Sequence, residues 1–230
     1  MKNNFFAQNT GVVDSAYINE LMMKVYNWMA MGLAVSAITA LAVLSYQPLF
    51  QLVSRLYLLL MIGELVMVIA FMSMINKVKP QTAVLMFFSF AAVNGLTLGI
   101  ILSLYTGASI ASTFFITAGM FAGMSFYGYT TKKDLTGWGS FLFMGLIGIV
   151  IASLVNIFLA SSQLSWIISF IGVFLFLGLT AYDTQKIKHM MASAGSDSAI
   201  TKVAAVAALK LYLDFINLFL FLLRFTGNRR

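Results

Sequence analysis

The sequence has no cysteine and a single histidine, His189. Without cysteine there is no disulfide, no thiolate nucleophile and no cysteine metal site, whatever the compartment. Without a histidine pair, and with no His-Glu-x-x-His run, an intramembrane zinc protease lacks its ligands. His189 itself reads as a loop residue. No nucleophile with an adjacent base and no metal triad can be assembled from the other side chains, so an enzyme is the least expected class and no cofactor is expected. Charge is also scarce: 9% of the 230 residues are charged against 61% hydrophobic, with a mean hydropathy of +0.94. A soluble domain carries roughly a quarter charged residues, so lipid must be the solvent for most of this surface.

What is present is a series of apolar runs of about 20 residues, each enough to cross a hydrocarbon core of about 30 Å. Seven are legible, over 28–46, 56–75, 83–104, 108–129, 139–160, 164–183 and 204–224. They are apolar all round rather than alternating, which favours a helical bundle over a β-barrel. The expected fold is an all-α polytopic membrane protein, a single transmembrane domain over residues 1–230. No soluble domain, linker, low-complexity tract or inverted repeat is legible.

The 14 Lys and Arg against 7 Asp and Glu give a net charge of +7. In a soluble chain that would raise the question of nucleic acid. Here the basic residues sit in short loops, where they set topology against an anionic leaflet, and nucleic acid is not an expected partner. Lys2 and Lys24, Lys77 and Lys79, Lys132 and Lys133, and Lys186, Lys188 and Lys202 would share one side. By the positive-inside rule the amino terminus is cytoplasmic. Met1 to Asn9 is polar and lacks a cleaved-signal pattern, so the first apolar helix targets the chain and stays. Seven crossings put Arg224, Arg229 and Arg230 on the opposite side against the rule. Crossing is still favoured, because Leu211 to Leu223 has no Gly or Pro at which to turn back.

Gly95-xxx-Gly99 and Gly119-xxx-Gly123 permit close approach of helices three and four, as ordinary packing. Trp28, Tyr46, Tyr57, Tyr105, Tyr129, Trp138 and Trp166 fall near the expected helix ends, as interfacial anchors do. The 15 Met and 21 Phe are lipid-facing and bundle filling.

Acids inside apolar runs are the strongest chemical signal, because a lone ionised carboxylate at membrane depth is costly and marks a pathway or relay. Asp183 lies near the expected carboxyl-terminal end of helix six, where exposed carbonyls disfavour a carboxylate. Asp214 lies well inside helix seven, four residues after Lys210. If the two helices are antiparallel neighbours, the aspartates can approach, share one proton and titrate as a pair. Protonated, such a pair latches the helices; fully ionised, it repels them. The plainer alternatives are Asp183 solvated or paired with Lys186 or Lys188, and Asp214 bridged to Lys210 along its own helix. Glu64, in helix two, could line a cation path with oxygen ligands suited to Ca²⁺, or be hydrogen-bonded within the bundle. Asn94, Thr97, Asn156 and Asn217 add uncharged oxygens that more often bond between helices than bind ions.

Three motifs carry a family resemblance: Ala181-Tyr182-Asp183-Thr184-Gln185-Lys186, Leu211-Tyr212-Leu213-Asp214-Phe215-Ile216-Asn217-Leu218-Phe219, and Tyr127-Gly128-Tyr129-Thr130-Thr131-Lys132-Lys133-Asp134-Leu135 followed by Gly137. Together they resemble the transmembrane Bax inhibitor motif family, over nearly the whole chain and most of all its bacterial inner-membrane members. The resemblance implies a bundle with helix seven central, and a pH-sensitive Ca²⁺ leak controlled by an aspartate pair that corresponds to Asp183 and Asp214. It matches Glu64 to an acid in helix two of some members. A basic latch partner near the end of helix two has Lys77 as its nearest counterpart by position, and the segment between the two aspartates looks longer than in compact members.

Three functions follow as expectations. The first is a pH-sensitive leak for Ca²⁺ or another cation, with Asp183 and Asp214 as gate and weak, transient metal ligands, Glu64 and Asn217 along the path, and Lys77 or Lys210 as latch partner. Two or three carboxylates fall short of the 6 to 8 oxygens of a tight Ca²⁺ site, which suits a leak. The second is a membrane-embedded regulator of a membrane-protein partner, such as a membrane protease or a stress or death pathway component. The third is a proton-coupled transporter using the same carboxylates as a relay.

Overall fold

The computed structural model describes residues 15–194 and 196–229. The reading of Met1 to Asn9, and the positions of Lys2 and Arg230, lie outside the described residues. Within them the chain forms seven helices: α1 (Ser15–Ser45), α2 (Gln47–Met74), α3 (Pro80–Leu102), α4 (Gly107–Thr130), α5 (Trp138–Leu159), α6 (Ser162–Ala192) and α7 (Asp197–Thr226). Each is long and apolar enough to cross a membrane.

The local reasons are visible in the sequence. Both prolines, Pro48 and Pro80, stand in the first turns of α2 and α3, where the missing N–H breaks no helical bond. Thr106, Ser161 and Ser196 cap α4, α6 and α7, their side-chain oxygens accepting from the N–H groups of Ser109, Leu164 and Ala199 at 3.2–3.3 Å.

Four helices outrun their apolar cores. α1 begins at Ser15 rather than near 28, α2 at Gln47 rather than near 56, α6 runs on to Ala192, and α7 starts at Asp197. A hydropathy reading finds only the segment in hydrocarbon, whereas backbone hydrogen bonding continues through polar turns beyond it. Three readings change as a result. His189 is in the last turn of α6, not in a loop. The connection from α6 to α7 is only residues 193–196, so the extra length between the aspartates is helix rather than loop. Asp183 sits more than two turns before the end of α6, too far for the terminal carbonyls to act on it.

α7 is the most buried helix and packs against α1, α3, α4 and α6, while α2 lies on α3 and α1, and α5 on α6. It runs unbroken to Thr226, and the tail returns onto the α3–α4 connection: Thr106 N donates to the Asn228 carbonyl at 3.1 Å, and Arg229 lies over the Tyr105 ring. That end is opposite the end bearing the α2–α3, α4–α5 and α6–α7 connections, hereafter the lysine-rich end. Tyr105 is accordingly buried against the tail instead of anchoring an interface. Trp28 and Tyr57 are also not at helix ends, since α1 and α2 start well before them.

The glycines pair helices differently from the expectation. Gly95 and Gly99 of α3 face α1: a methyl on Gly95 would lie 2.5 Å from the Ser36 carbonyl oxygen, and one on Gly99 2.7 Å from Val43 Cβ. Gly119 and Gly123 face open space. The close contact of α4 is at Gly128, where a methyl would overlap the Ala181 carbonyl oxygen of α6. A GxxxG spacing identifies a thin helix face but not the neighbour that uses it.

Candidate functional site

Gly128 brings the α4 backbone onto Ala181, two residues before Asp183, and α7 packs along the neighbouring face of α6. That arrangement sets Asp183, Lys210, Asp214 and Asn217 around one cleft of about 670 Å³ between α5, α6 and α7. Lys210 Nζ lies 3.3 Å from Asp183 Oδ1 and forms the only ion pair among the described residues. Asp183 is buried and the lysine about a third exposed, so the pair sits where the cleft meets the bundle interior. Neither plainer alternative holds. Lys186 Nζ reaches the Tyr182 hydroxyl at 3.3 Å and Lys188 Nζ the Tyr129 carbonyl at 2.9 Å, while Lys210 turns from its own helix to α6.

Asp214 is left in a different state. It is buried, and its Oδ2 has no hydrogen-bond partner among the described residues. A buried acceptor left open is costly, so it is a position that a proton, a water or a cation would complete. Asn217 lines the same cleft, but its Nδ2 donates back to the Leu213 carbonyl at 2.8 Å rather than across to another helix. Asn156 likewise serves its own turn, accepting from Ser161 N at 3.1 Å.

A second cleft of about 660 Å³ shares Thr136, Tyr182 and Lys186 with the first and continues past Gln185 to His189 and Ser193 at the lysine-rich end. Tyr182 stands between the two. A methyl on Gly139 would lie 2.6 Å from its hydroxyl, so the start of α5 fixes the ring. Gln185 ties down the overlying α4–α5 connection: its Oε1 accepts from Leu135 N and its Nε2 donates to the Lys133 carbonyl, both at 2.8 Å. In the same connection Thr136 N donates to Asp134 Oδ1 at 2.8 Å, and the hydrogen bonds from Thr136 hold the Asp134 carboxyl below its ordinary range.

Glu64 and Lys77 are not part of this cleft. Lys77 lies exposed in the turn beyond α2, and the lysine that meets Asp183 is Lys210. Glu64 is held within the bundle, the plainer of its two readings: Thr97 Oγ1 donates to Oε1 at 2.6 Å and Asn94 Nδ2 to Oε2 at 2.9 Å. The network then continues. The Tyr212 hydroxyl donates to Asn94 Oδ1 at 2.7 Å and accepts from Ser36 Oγ at 2.6 Å, with the Ala91 carbonyl 2.7 Å from the same serine oxygen. Four helices are joined by one chain of polar groups. Tyr212 is fully buried, with Phe87 and Phe90 each edge-on to its ring at 5.9 Å.

Sequence reasoning missed Ser36 and Tyr212 as a unit. Tyr212 gave a signal, since a tyrosine in mid-helix two residues from Asp214 cannot be an interfacial anchor. Ser36 gave none, because a serine in an apolar helix bonds its own preceding turn equally well.

The sequence is matched among known proteins. The family model described as "Inhibitor of apoptosis-promoting Bax1" matches residues 18–230. The chain is similar to the inner membrane protein YbhL of Escherichia coli K12, with 49% identity over 220 residues, covering 94% of each chain. It is 46% identical to the uncharacterized protein RP147 of Rickettsia prowazekii, over 93% of this chain and 91% of that one. An uncharacterized membrane protein of Streptococcus pyogenes serotype M1 is 37% identical, over 92% and 93%.

Proposed function

The chain belongs to the Bax inhibitor family of membrane proteins, and on that premise we propose that it is a pH-sensitive leak for Ca²⁺ or another small cation in a bacterial inner membrane. The observation that carries the reading is the open Oδ2 of Asp214 beside the Asp183–Lys210 pair, in a cleft that continues toward the lysine-rich end. That end is cytoplasmic in this reading, by the positive-inside rule.

With both aspartates ionised the cleft offers two carboxylates against one lysine, an excess of negative charge that attracts a cation. Asn217 adds an amide to the lining. Among the described residues no three His, Cys, Asp or Glu side chains come together, so the set stays well short of the 6 to 8 oxygens of tight Ca²⁺ coordination. Weak, transient binding suits conduction. As pH falls the carboxylates take up protons, the attraction is lost, and a protonated Asp214 can hydrogen-bond to Asp183 and hold α6 against α7. Permeation therefore falls with pH.

The test is Ca²⁺ flux into liposomes holding the purified protein, across roughly pH 6 to 8, for the wild type and for Asp183→Asn with Asp214→Asn. Flux that rises with pH and loses this dependence in the double variant is the expected result. Flux no greater than in protein-free liposomes would overturn the leak. It would favour a regulator of other membrane proteins, the reading supported by the family's description as an inhibitor.

A further inference from the structure

α1 and α4 make no substantial contact among the described residues, although both pack on α7. Between them, toward the lysine-rich end, is a cavity of about 670 Å³ lined by Met22, Met23 and Met29 of α1, Ala118 and Ala122 of α4, and Phe215 of α7. A second, of about 500 Å³, continues between the same helices to Leu44 and Gly107 and shares Phe215 as its floor. At the lysine-rich end the helices are tied by the Tyr129 hydroxyl, which donates to Asn19 Oδ1. We propose that this groove is a phospholipid site, with the phosphate at the Tyr129 end and one acyl chain lying along α7 against Phe215.

Dimensions select this occupant. The first cavity extends from Asn19 to Met29 on α1 and from Tyr129 to Ala118 on α4, or about 15–17 Å at the helical rise. That is the depth of one leaflet, half of a hydrocarbon core of about 30 Å. An acyl chain reaching from the headgroups toward mid-bilayer matches that length.

Chemistry selects it as well. The walls are mostly methionine, alanine and phenylalanine; of the polar residues that line them, Ser125 is hydrogen-bonded to Thr184 and Asn19 to Tyr129, and methionine moulds itself to an irregular apolar guest. Charge changes at the mouth. Lys188 Nζ lies 4.5 Å above the Tyr129 ring, and Lys132 and Lys133 follow the end of α4. None of the three is paired with a carboxylate among the described residues. Lys188 donates to the Tyr129 carbonyl at 2.9 Å and keeps two further donors, so cations without a carboxylate partner at this end complement a phosphodiester. The site is separate from the ion cleft and does not depend on the leak reading, although Phe215 adjoins Asp214 in sequence.

Photolabelling decides the matter on the unaltered protein. A phosphatidylglycerol carrying a diazirine at the middle of its acyl chain is irradiated with the protein in liposomes, and labelled peptides are mapped. Adducts concentrated in 19–29 and 118–129 are expected; adducts spread evenly over the lipid-facing helices α2 and α5 would overturn the site. Native mass spectrometry after delipidation adds a second readout. Ala118→Trp with Ala122→Phe should retain phosphatidylglycerol roughly tenfold more weakly, and Gly119→Leu, on the neighbouring open face of α4, should retain it as the wild type does. Equal retention by all three proteins would count against the groove. If the filled variant does not fold, the labelling map of the wild type stands as the deciding result. Equal labelling by a lipid of the same chains with a neutral headgroup would remove the phosphate from the proposal.

Discussion

Lys210 Nζ meets Asp183 Oδ1 across the α6–α7 contact at 3.3 Å, rather than Asp214 four residues along its own helix. One lysine therefore neutralises the aspartate of the neighbouring helix and leaves the aspartate of its own with an open oxygen. The pair ties α6 to α7 at the level of the cleft, so its strength bears directly on how readily the two helices part.

Lys210→Met should lower stability by about 1–3 kcal/mol, between an exposed pair and a fully buried one, because Asp183 is left buried without its cation. Adding Asp183→Asn to that variant should restore most of the loss. Thermal unfolding of the purified protein in detergent measures both. A double variant no more stable than Lys210→Met alone would mean that the pair does not hold the helices.

Tyr212→Phe should cost about 1–2 kcal/mol in the same assay, since it leaves Asn94 Oδ1 without its donor and Ser36 without its buried hydroxyl partner. Glu64→Leu strands the Thr97 and Asn94 donors and should cost a similar amount, whereas Glu64→Gln keeps the shape and one acceptor and should cost less. Ser73→Ala, which removes only an exposed bond to its own turn, should be neutral.

Gly128→Ala and Gly123→Ala separate a packing glycine from a spacing coincidence. The first puts a methyl onto a backbone carbonyl that cannot turn aside, and should cost about 3 kcal/mol or more or prevent folding. The second meets open space and should change stability by less than about 1 kcal/mol. Expression yield and unfolding temperature distinguish them.

Gln185→Leu should loosen the α4–α5 connection by removing both of its ties to α6. Amide deuterium exchange in the backbone of 133–137 should accelerate by roughly tenfold, with α6 itself unchanged. The Asp134 carboxyl is held lower in the folded loop than in the unfolded chain. Its contribution to loop order is therefore complete above the ordinary aspartate range, and is lost as pH falls through the folded value. Protection of the wild-type loop, taken relative to the intrinsic exchange rate at each pH, should fall in acid accordingly, and Asp134→Asn should remove that part of the pH dependence.

Much of the fold was legible because lipid imposes a simple rule on sequence. A span must be apolar for about 20 residues whatever its neighbours do, so seven spans could be counted without knowing which helix touches which. The helix ends were not legible in the same way, since α1, α2, α6 and α7 run past their apolar runs into polar residues where hydropathy is silent. Asp183 and Asp214 stood out because a carboxylate in such a run demands a reason.

By itself, then, the sequence determined an all-α membrane bundle, its seven spans and the identity of the acids buried in it. Tertiary structure alone decided that Lys210 serves Asp183, that Gly95 faces α1 while Gly119 and Gly123 face nothing, that Tyr212 links Glu64's partners to Ser36, and that α1 and α4 stand apart. The reason is rotational. A helix apolar on every side does not encode in its own residues which face turns inward, and that angle is set only when the surrounding helices pack against it.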